Sequence, residues 1–352
     1  MTLSFTCPIN PARILFGPGT LDQVGPEIER LGCARALVLA TPFQKAQAEQ
    51  LAARLGPLAC GVFAGAAMHT PTDVTRAAMA AYEAAGADCV VAFGGGSTIG
   101  LGKAIAWRND APQVVIATTY AGSEVTPILG ETADGLKTTR RDPKILPETV
   151  IYDPQLTTGL PVAMSVASGL NAMAHSIEAL YAKDRNPIST MQAIEGIRAL
   201  RDALPVIVAT PHDEDARALA LYGSWLCGTV LGTVGMSLHH KLCHTLGGSF
   251  DMPHAETHAI LIPHTAAYNA QAAQEELAPV AQMFGGTVGG GLYDFAVSLQ
   301  APLALRDLGL AEADLDKAAD IAVQNPYWNP QPIEREAIRA LLQRAFEGSR
   351  PE

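Results

Sequence analysis

Over roughly the first 160 residues, short apolar runs alternate with alanine-rich stretches of helical period. ARALVLAT (34–41), the run 60–63, ADCVVAFGGGS (87–97), QVVIATT (113–119) and TVIYDP (149–154) are aliphatic and bounded by turn residues, which predicts buried strands. Helices are predicted over 43–55 and 73–85 and from Thr98 onward. This alternation implies a parallel sheet with helices on both faces. From Pro161 the strand signals stop, and VAMSVASGLNAMAHSIEALYA, PISTMQAIEGIRALRDALPVIVA and EDARALALYGSWLCGTVLG all keep a helical period. The reading is an α/β, Rossmann-like dinucleotide-binding domain over 1–160 and an all-α substrate and catalytic domain over 161–352. Gly285-Gly286 and Gly289-Gly290-Gly291 suggest a loop around a short connection.

Two polar strand ends interrupt the apolar pattern of the first part. Gly94-Gly95-Gly96-Ser97 follows a strand and precedes a helix, which places free backbone N–H groups and the positive end of a helix dipole where a phosphate could bind. Glycine permits that approach because a Cβ would block a pyrophosphate. The spacing is not G-x-G-x-x-G, so a tight turn without a ligand stays open as the alternative. Thr118, Thr119 and Ser123, in TTYAGSE, supply hydroxyls at the carboxyl end of the next strand, where open α/β sheets hold ligands.

In the helical part, the stretch MSLHHKLCHTLGGSFDMPHAETH (236–258) holds His239, His240, His244 and His254 and closes on His258. His240 and His244 are four apart and share a helix face. Gly247 and Gly248 are read as the end of that helix, and Pro253 as the turn that presents His254. Asn171 and His175 repeat the four-residue spacing at the head of what reads as an amphipathic helix. One histidine alone is more often a satisfied core or surface residue; the whole set at these spacings predicts a built pocket.

Composition narrows the partners. The chain has 352 residues, 48% hydrophobic and 17% charged, enough for two packed cores. A net charge of −11 argues against nucleic acid and anionic membrane surfaces, though not against an anionic small molecule in a local pocket. The 6 cysteines form no C-x-x-C pair and read as reduced thiols. No signal peptide and no apolar run of about 18 residues is found, so a soluble cytoplasmic protein is expected.

With these motifs together, the chain resembles the iron-containing (group III) alcohol dehydrogenase family. The family pattern GGGS-x-x-D-x-x-K reads GGGSTIGLGK, with Gly100 in place of the acid; the threonine loop reads TTYAGSEVT, and a third element reads LPETVIYDP. The resemblance implies a dehydroquinate synthase-like two-domain fold, a homodimer, and a nicotinamide cofactor held by Gly94, Gly95, Gly96, Ser97, Thr98, Thr118, Thr119 and Ser123. Lys137 matches a family lysine near the cofactor, the alternative being a surface lysine beside Arg140 and Arg141. The family's metal ligands fall on Asn171, His175, His240 and His254, and its catalytic-pocket histidine on His244. Within the family the chain is most similar to the maleylacetate reductase branch, through GLNAMAH, MHTPT (68–72), TTYAGSE, KTTRRDPKILP and NPYWNPQP (325–332). That branch implies reduction of the maleylacetate C=C bond to 3-oxoadipate by NADH or NADPH, in the breakdown of aromatic compounds.

Position 171 is the main departure. Asn adds no charge to a site for Fe²⁺ or Zn²⁺, whereas an unmetallated Asp would repel a dicarboxylate that Asn can donate to. The expectation is therefore a metal-free enzyme. His244 is the leading proton donor, His175, His240 and His254 are anchors that keep the pocket positive, and Asn171 orients one of them or binds a carboxylate. His239 is expected to support, Lys241 to be solvated and Tyr327 to be packed. ARALVLAT ends in Thr41-Pro42 with no acid before Glu49, so nothing there repels a 2′-phosphate and either cofactor is expected to serve. The rival readings are a metal-dependent dehydrogenase of small alcohols or aldehydes, a lyase of the dehydroquinate synthase type, and a non-catalytic nucleotide-binding module.

Overall fold

Aliphatic residues on successive strand positions leave no polar face to the central sheet of this computed structural model, and both faces are covered. The structure describes residues 5–10, 12–133 and 136–352, without the side chains of Leu136 and Lys137, so the lysine matched to the cofactor site lies outside the described residues. The chain divides into two compact units, Ile9–Leu160 and Pro161–Glu352, the latter joined by the start of the chain.

The first unit contains strands β1 (Arg13–Phe16), β2 (Ala36–Leu39), β3 (Ala59–Phe63), β4 (Cys89–Gly94), β5 (Gln113–Ala117), β6 (Ile128–Ala133), β7 (Leu136–Arg141) and β8 (Thr149–Tyr152). Its helices are α1 (Val24–Arg30), α2 (Lys45–Leu55), α3 (Thr72–Ala85) and α4 (Gly96–Asn109). Six strands form a sheet in the order β1-β8-β5-β4-β2-β3 with every pairing parallel. Alternate residues of each strand serve opposite faces. Val38, Val91, Val114 and Ile151 pack with Val24, Ile28, Ala48 and Leu51, whereas Leu37, Leu39 and Val90 pack with Ala78, Leu101 and Ile105. Such double coverage is why these strands read as unbroken apolar runs. The chain moves from β2 outward to β3, then returns past β2 to β4 and on to β5. The carboxyl ends of β2 and β4 therefore flank a topological switch point, where open sheets of this kind bind ligands.

The edge strand β1 and the antiparallel β6–β7 hairpin have no counterpart among the predicted strands. The first is only four residues, RILF, and none of them is fully buried, while β7 is LKTTRR. Neither carries the buried-strand signal.

The second unit consists of helices α5 (Val162–Leu180), α6 (Pro187–Ala209), α7 (Glu214–Thr233), α8 (Leu238–Phe250), α9 (His254–Ala270), α10 (Gln274–Phe284), α11 (Val288–Ser298), α12 (Leu315–Ala322) and α13 (Arg335–Glu347). Helix α5 packs against α6, α7 and α9, and every residue from Ser165 to Leu180 is buried. It is therefore a central helix, not the amphipathic one expected, and Asn171 and His175 lie in its middle. Gly247 and Gly248 do not end α8, which continues to Phe250 and stops at Asp251 in a left-handed conformation. Gly289, Gly290 and Gly291 belong to α11 and not to a loop. A Cβ on Gly289 would lie 2.6 Å from the Ala267 Cβ and 2.8 Å from the Pro263 carbonyl, so these residues are small to let α11 pack on α9. Among the described residues no single helix is long and apolar enough to cross a membrane.

Candidate active site

In the α/β unit, polar groups gather at the carboxyl ends of β2, β4 and β5. Gly94 is the last residue of β4 and has φ +156°, a conformation that side chains rarely adopt. A Cβ there would lie 2.5 Å from Thr98 Oγ1 and 2.9 Å from Gln44 Oε1. One at Gly95 would lie 2.7 Å from the Thr119 methyl, whereas one at Gly96 would meet nothing within 4 Å. Gly94 and Gly95 are thus required by the protein itself, and Gly96 borders open space. Helix α4 begins at Gly96 rather than at the expected Thr98, so Gly96 and Ser97 form its first turn. Their N–H groups have no intrahelical partner, which suits an anion.

Gln44 follows β2 and ties the strand ends together, a residue the sequence reading missed because nothing in its local pattern marks it. Its Nε2 donates to Thr118 Oγ1 at 3.1 Å, and the Thr41 hydroxyl donates to its Oε1 at 3.4 Å. The motif lysine, Lys103, is buried in α4 and donates to the carbonyls of Ser123 at 2.5 Å and Ile128 at 3.0 Å and to Thr126 Oγ1 at 2.9 Å. It fastens the TTYAGSEVT segment to α4 and so places Ser123. Burial pushes the Lys103 ammonium down to about 7, opposed by the nearby Glu124 carboxylate. Gly100, where the family pattern has an acid, stands against Thr70, and a Cβ there would collide with Thr70 Oγ1.

The helical unit gathers the histidines. His175 on α5 and His240 on α8 have ring centroids 5.1 Å apart, and His240 and His244 are 6.0 Å apart. His258 on α9 is central to the group: its ring lies 4.4 Å from His254, 4.8 Å from His239, 4.9 Å from His240 and 6.2 Å from His175. The sequence reading did not assign His258 a role, although His254 and His258 repeat the four-residue spacing of His240 and His244. His239 supports the pocket from beneath. Its ring hydrogen-bonds His258 Nδ1 at 2.9 Å and the Thr265 hydroxyl at 3.0 Å. Burial, and behind it the neighbouring imidazoles, holds His175, His239 and His258 well below the ordinary histidine value. His175 is therefore neutral near pH 7, contrary to the expectation that it keeps the pocket positive.

A second residue that the sequence reading missed is Glu178, one turn after His175 on α5. Its carboxylate is 1% exposed and lies 2.5 Å from His240 Nδ1. Tyr327 also belongs to the site, where packing alone was expected: its hydroxyl is 3.1 Å from His244 Nδ1. The 324–331 segment is tied down by three side chains. Lys241 Nζ donates to the Gln324 carbonyl at 2.8 Å in an exposed hydrogen bond, so this partly exposed lysine also serves as a tether. Asn329 accepts from the Leu238 N–H at 3.3 Å and from Asn269 Nδ2 at 3.0 Å. Four buried polar atoms in the pocket have no partner within the protein: Asn171 Oδ1, His175 Nδ1, His240 Nε2 and His258 Nε2. Burying such atoms unpaired costs about 1–3 kcal/mol each, which marks the pocket as made for a polar ligand.

The family implies a metal, and the donor geometry tests whether these residues fit one. Among the described residues, the groups of three His, Cys, Asp or Glu with donor atoms within 4.8 Å of one another are His239–Cys243–His258 and Cys33–Asp88–Cys89. The matched set His175, His240 and His254 is not among them, and its fourth member is the neutral Asn171. In the first group, the 2.9 Å separation of His239 Nε2 and His258 Nδ1 is that of a hydrogen bond. Two nitrogens on one tetrahedral Zn²⁺ would be about 3.3 Å apart. The residues at the family's ligand positions do not fit a metal in this arrangement.

Comparison with known proteins agrees with this fold. Residues 11–154 match the family described as iron-containing alcohol dehydrogenase, and residues 165–346 match the C-terminal domain of the Fe-containing alcohol dehydrogenase family. The chain is 67% identical to a maleylacetate reductase of Rhizobium sp. (strain MTP-10005) over 97% of both chains. It is 53% identical to a maleylacetate reductase of Burkholderia cepacia, over 96% of this chain and 97% of that one. The solved structure of a maleylacetate reductase from Agrobacterium tumefaciens superposes with a TM-score of 0.96 at 65% identity, covering 99% of this chain and 100% of that one. By sequence, fold and the match of both units, the chain belongs to the iron-containing alcohol dehydrogenase family.

Proposed function

We infer that this protein is a maleylacetate reductase, an NAD(P)H-dependent oxidoreductase that reduces the C=C bond of maleylacetate to give 3-oxoadipate. The observation that carries the reading is the cluster of imidazoles, with a neutral, buried Asn171 one turn before His175 on α5, in a chain 67% identical to a maleylacetate reductase over 97% of its length. When bound, the nicotinamide supplies a hydride to the alkene carbon that is β to the ketone. Gly94, Gly95, Gly96, Ser97 and Thr98 with Thr41, Thr118, Thr119 and Ser123 are the residues assigned to hold it, and Lys137 is kept as a cofactor contact on the resemblance alone.

As the hydride adds, electrons move from the double bond onto the ketone oxygen. N–H donors placed at that oxygen stabilise the developing enolate more than the substrate. Collapse of the enolate takes a proton at the carbon next to the ketone, and His244 is assigned as its source. The Tyr327 hydroxyl is 3.1 Å from His244 Nδ1 and orients the ring, and Nε2 of the protonated ring is assigned as the nitrogen that gives the proton, leaving a neutral imidazole. His175, His240 and His254 bind the substrate, and Asn171 offers its amide to a carboxylate or to a neighbouring ring. We place the enzyme in the cytoplasm, on its free cysteines, and as a homodimer, as the resemblance implies.

The reaction as read here runs without a metal. Asn171 brings no negative charge, and the His258 ring lies 4.9 Å from His240 and 4.4 Å from His254. Oxidation of NADH by maleylacetate is expected to survive exhaustive chelation, and Asn171→Asp is expected to raise metal affinity while weakening maleylacetate binding in the metal-free enzyme. Activity lost with chelator and restored by Fe²⁺ or Zn²⁺ would return the metal-dependent alcohol dehydrogenase.

Cofactor choice is expected to be broad. Thr41 is followed by Pro42, and the first acid of α2, Glu49, is paired with Lys45 at 3.7 Å. No carboxylate after β2 stands ready to bind a ribose 2′-hydroxyl and repel a 2′-phosphate. Rates with NADPH and NADH should be comparable. A preference for NADH above about 10³-fold, roughly 4 kcal/mol, would mean that another group excludes the phosphate.

A further inference from the structure

Helix α8 starts without a cap of its own, since the Ser237 side chain makes no capping hydrogen bond. The first N–H groups of a helix need acceptors from elsewhere. Glu178, in the last turn of the protein's central helix, supplies two of them: its Oε2 accepts from the Ser237 N–H at 3.1 Å and its Oε1 from the His239 N–H at 2.7 Å. Both carboxylate oxygens are thereby engaged as acceptors at the start of α8.

The same carboxylate reaches a side chain on the helix it caps. Glu178 Oε2 lies 2.5 Å from His240 Nδ1. Because both carboxylate oxygens already accept from backbone N–H groups, the hydrogen bond with the ring is assigned with Nδ1–H as the donor. The other nitrogen, Nε2, is buried with no partner in the protein. The ring is thereby oriented: one nitrogen is committed to Glu178 and the other is left to a ligand.

We propose that Glu178 is the positioning residue of the pocket, a carboxylate that fixes the tautomer and orientation of His240 through Nδ1 while capping the helix that carries it. The proposal rests on the reading of His240 as a substrate anchor, and it names the group that sets this anchor. Buried carboxylates that hold an imidazole from behind act in this way in other sites, where their loss leaves the ring present but wrongly protonated.

Glu178→Gln is nearly isosteric and tests the point. Its amide keeps one acceptor for the backbone but offers N–H to His240, which favours the tautomer with the proton on Nε2. We expect kcat with maleylacetate to fall by about 10- to 100-fold, with the KM for NADH changed by less than about 2-fold. The ring itself is read by ¹⁵N–¹H correlation spectra of histidine-labelled protein, with the His240 signals assigned by their loss in His240→Gln. Wild-type enzyme should show Nδ1–H at His240, and Glu178→Gln should move the proton to Nε2. An unprotonated Nδ1 in the wild type, or an unchanged kcat in the variant, overturns the proposal. Should the variant fail to fold, the wild-type spectrum alone decides it. That spectrum needs no turnover, so it also separates this proposal from the maleylacetate assignment: an enzyme inactive on maleylacetate with Nδ1–H at His240 leaves the positioning role intact and removes the substrate.

Discussion

Gly94→Ala should both destabilise the α/β unit and cost the enzyme its cofactor. The added Cβ would lie 2.5 Å from Thr98 Oγ1 and 2.9 Å from Gln44 Oε1 and Thr98 Cβ, at a backbone φ of +156°. None of these neighbours can easily retreat. Thr98 is fully buried in the first turns of α4, and Gln44 is held by Thr118 at 3.1 Å. Overpacking and backbone strain cost about 1–3 kcal/mol each, so a loss of about 2–5 kcal/mol is expected in a denaturant titration. Relief of the clash would shift the start of α4 and the Gln44 bridge, and NADH binding should weaken by at least about 10-fold, or 1.4 kcal/mol.

Gly96→Ala separates the two effects. Its Cβ meets no atom within 4 Å, so stability should stay near wild type while NADH affinity falls, because the space it enters is assigned to the cofactor. Fluorescence titration with NADH measures both variants. If Gly96→Ala binds NADH as wild type does, the cofactor does not approach this turn, and the assignment of the glycine segment fails.

His244→Ala is expected to lower kcat/KM for maleylacetate by about 10²- to 10⁴-fold, the range for loss of a positioned acid or base. The ring is half-buried and meets the Tyr327 hydroxyl at 3.1 Å through Nδ1. Its removal should leave NADH binding unaltered. Tyr327→Phe keeps the ring and removes the partner, so its effect should be smaller, about 10-fold or less. Steady-state kinetics on both variants checks the order. Turnover of His244→Ala near the wild-type level would transfer the proton to another histidine, and His254 would be the next to replace.

The sheet and the histidine cluster were legible in the sequence for different reasons. Strands such as QVVIATT are buried on both faces, so every position reports the same environment. Strand β1, of four residues, and the β6–β7 hairpin, which mixes Gly, Glu, Thr and Arg into its strands, were missed because neither forms a long unbroken apolar run. The reading of Gly247 and Gly248 as a helix end took a propensity for a rule: burial of Leu242, Leu246 and Gly247 carries α8 through them. Spacing found His240 and His244 on one face but could not find Glu178. A lone glutamate on a helix reads as solvated until packing shows that the helix is central. His258 was passed over because its spacing to His254 was not weighed, although it is the same as that of His240 and His244. Tyr327 lies far along the chain, and tethers through Asn329, Asn269 and Lys241 hold its segment near His244.

The double duty of Glu178 has a consequence for how the pocket is made and lost. Its carboxylate belongs to α5, while the amides it satisfies belong to the first turn of α8. If α8 detached, the Glu178 carboxylate and the first amides of α8 would lose their partners together, which disfavours opening of one helix alone. His175 and His240 should therefore form and disappear as one cooperative unit. A half-built site, with one imidazole in place and the other adrift, is a species this architecture does not populate.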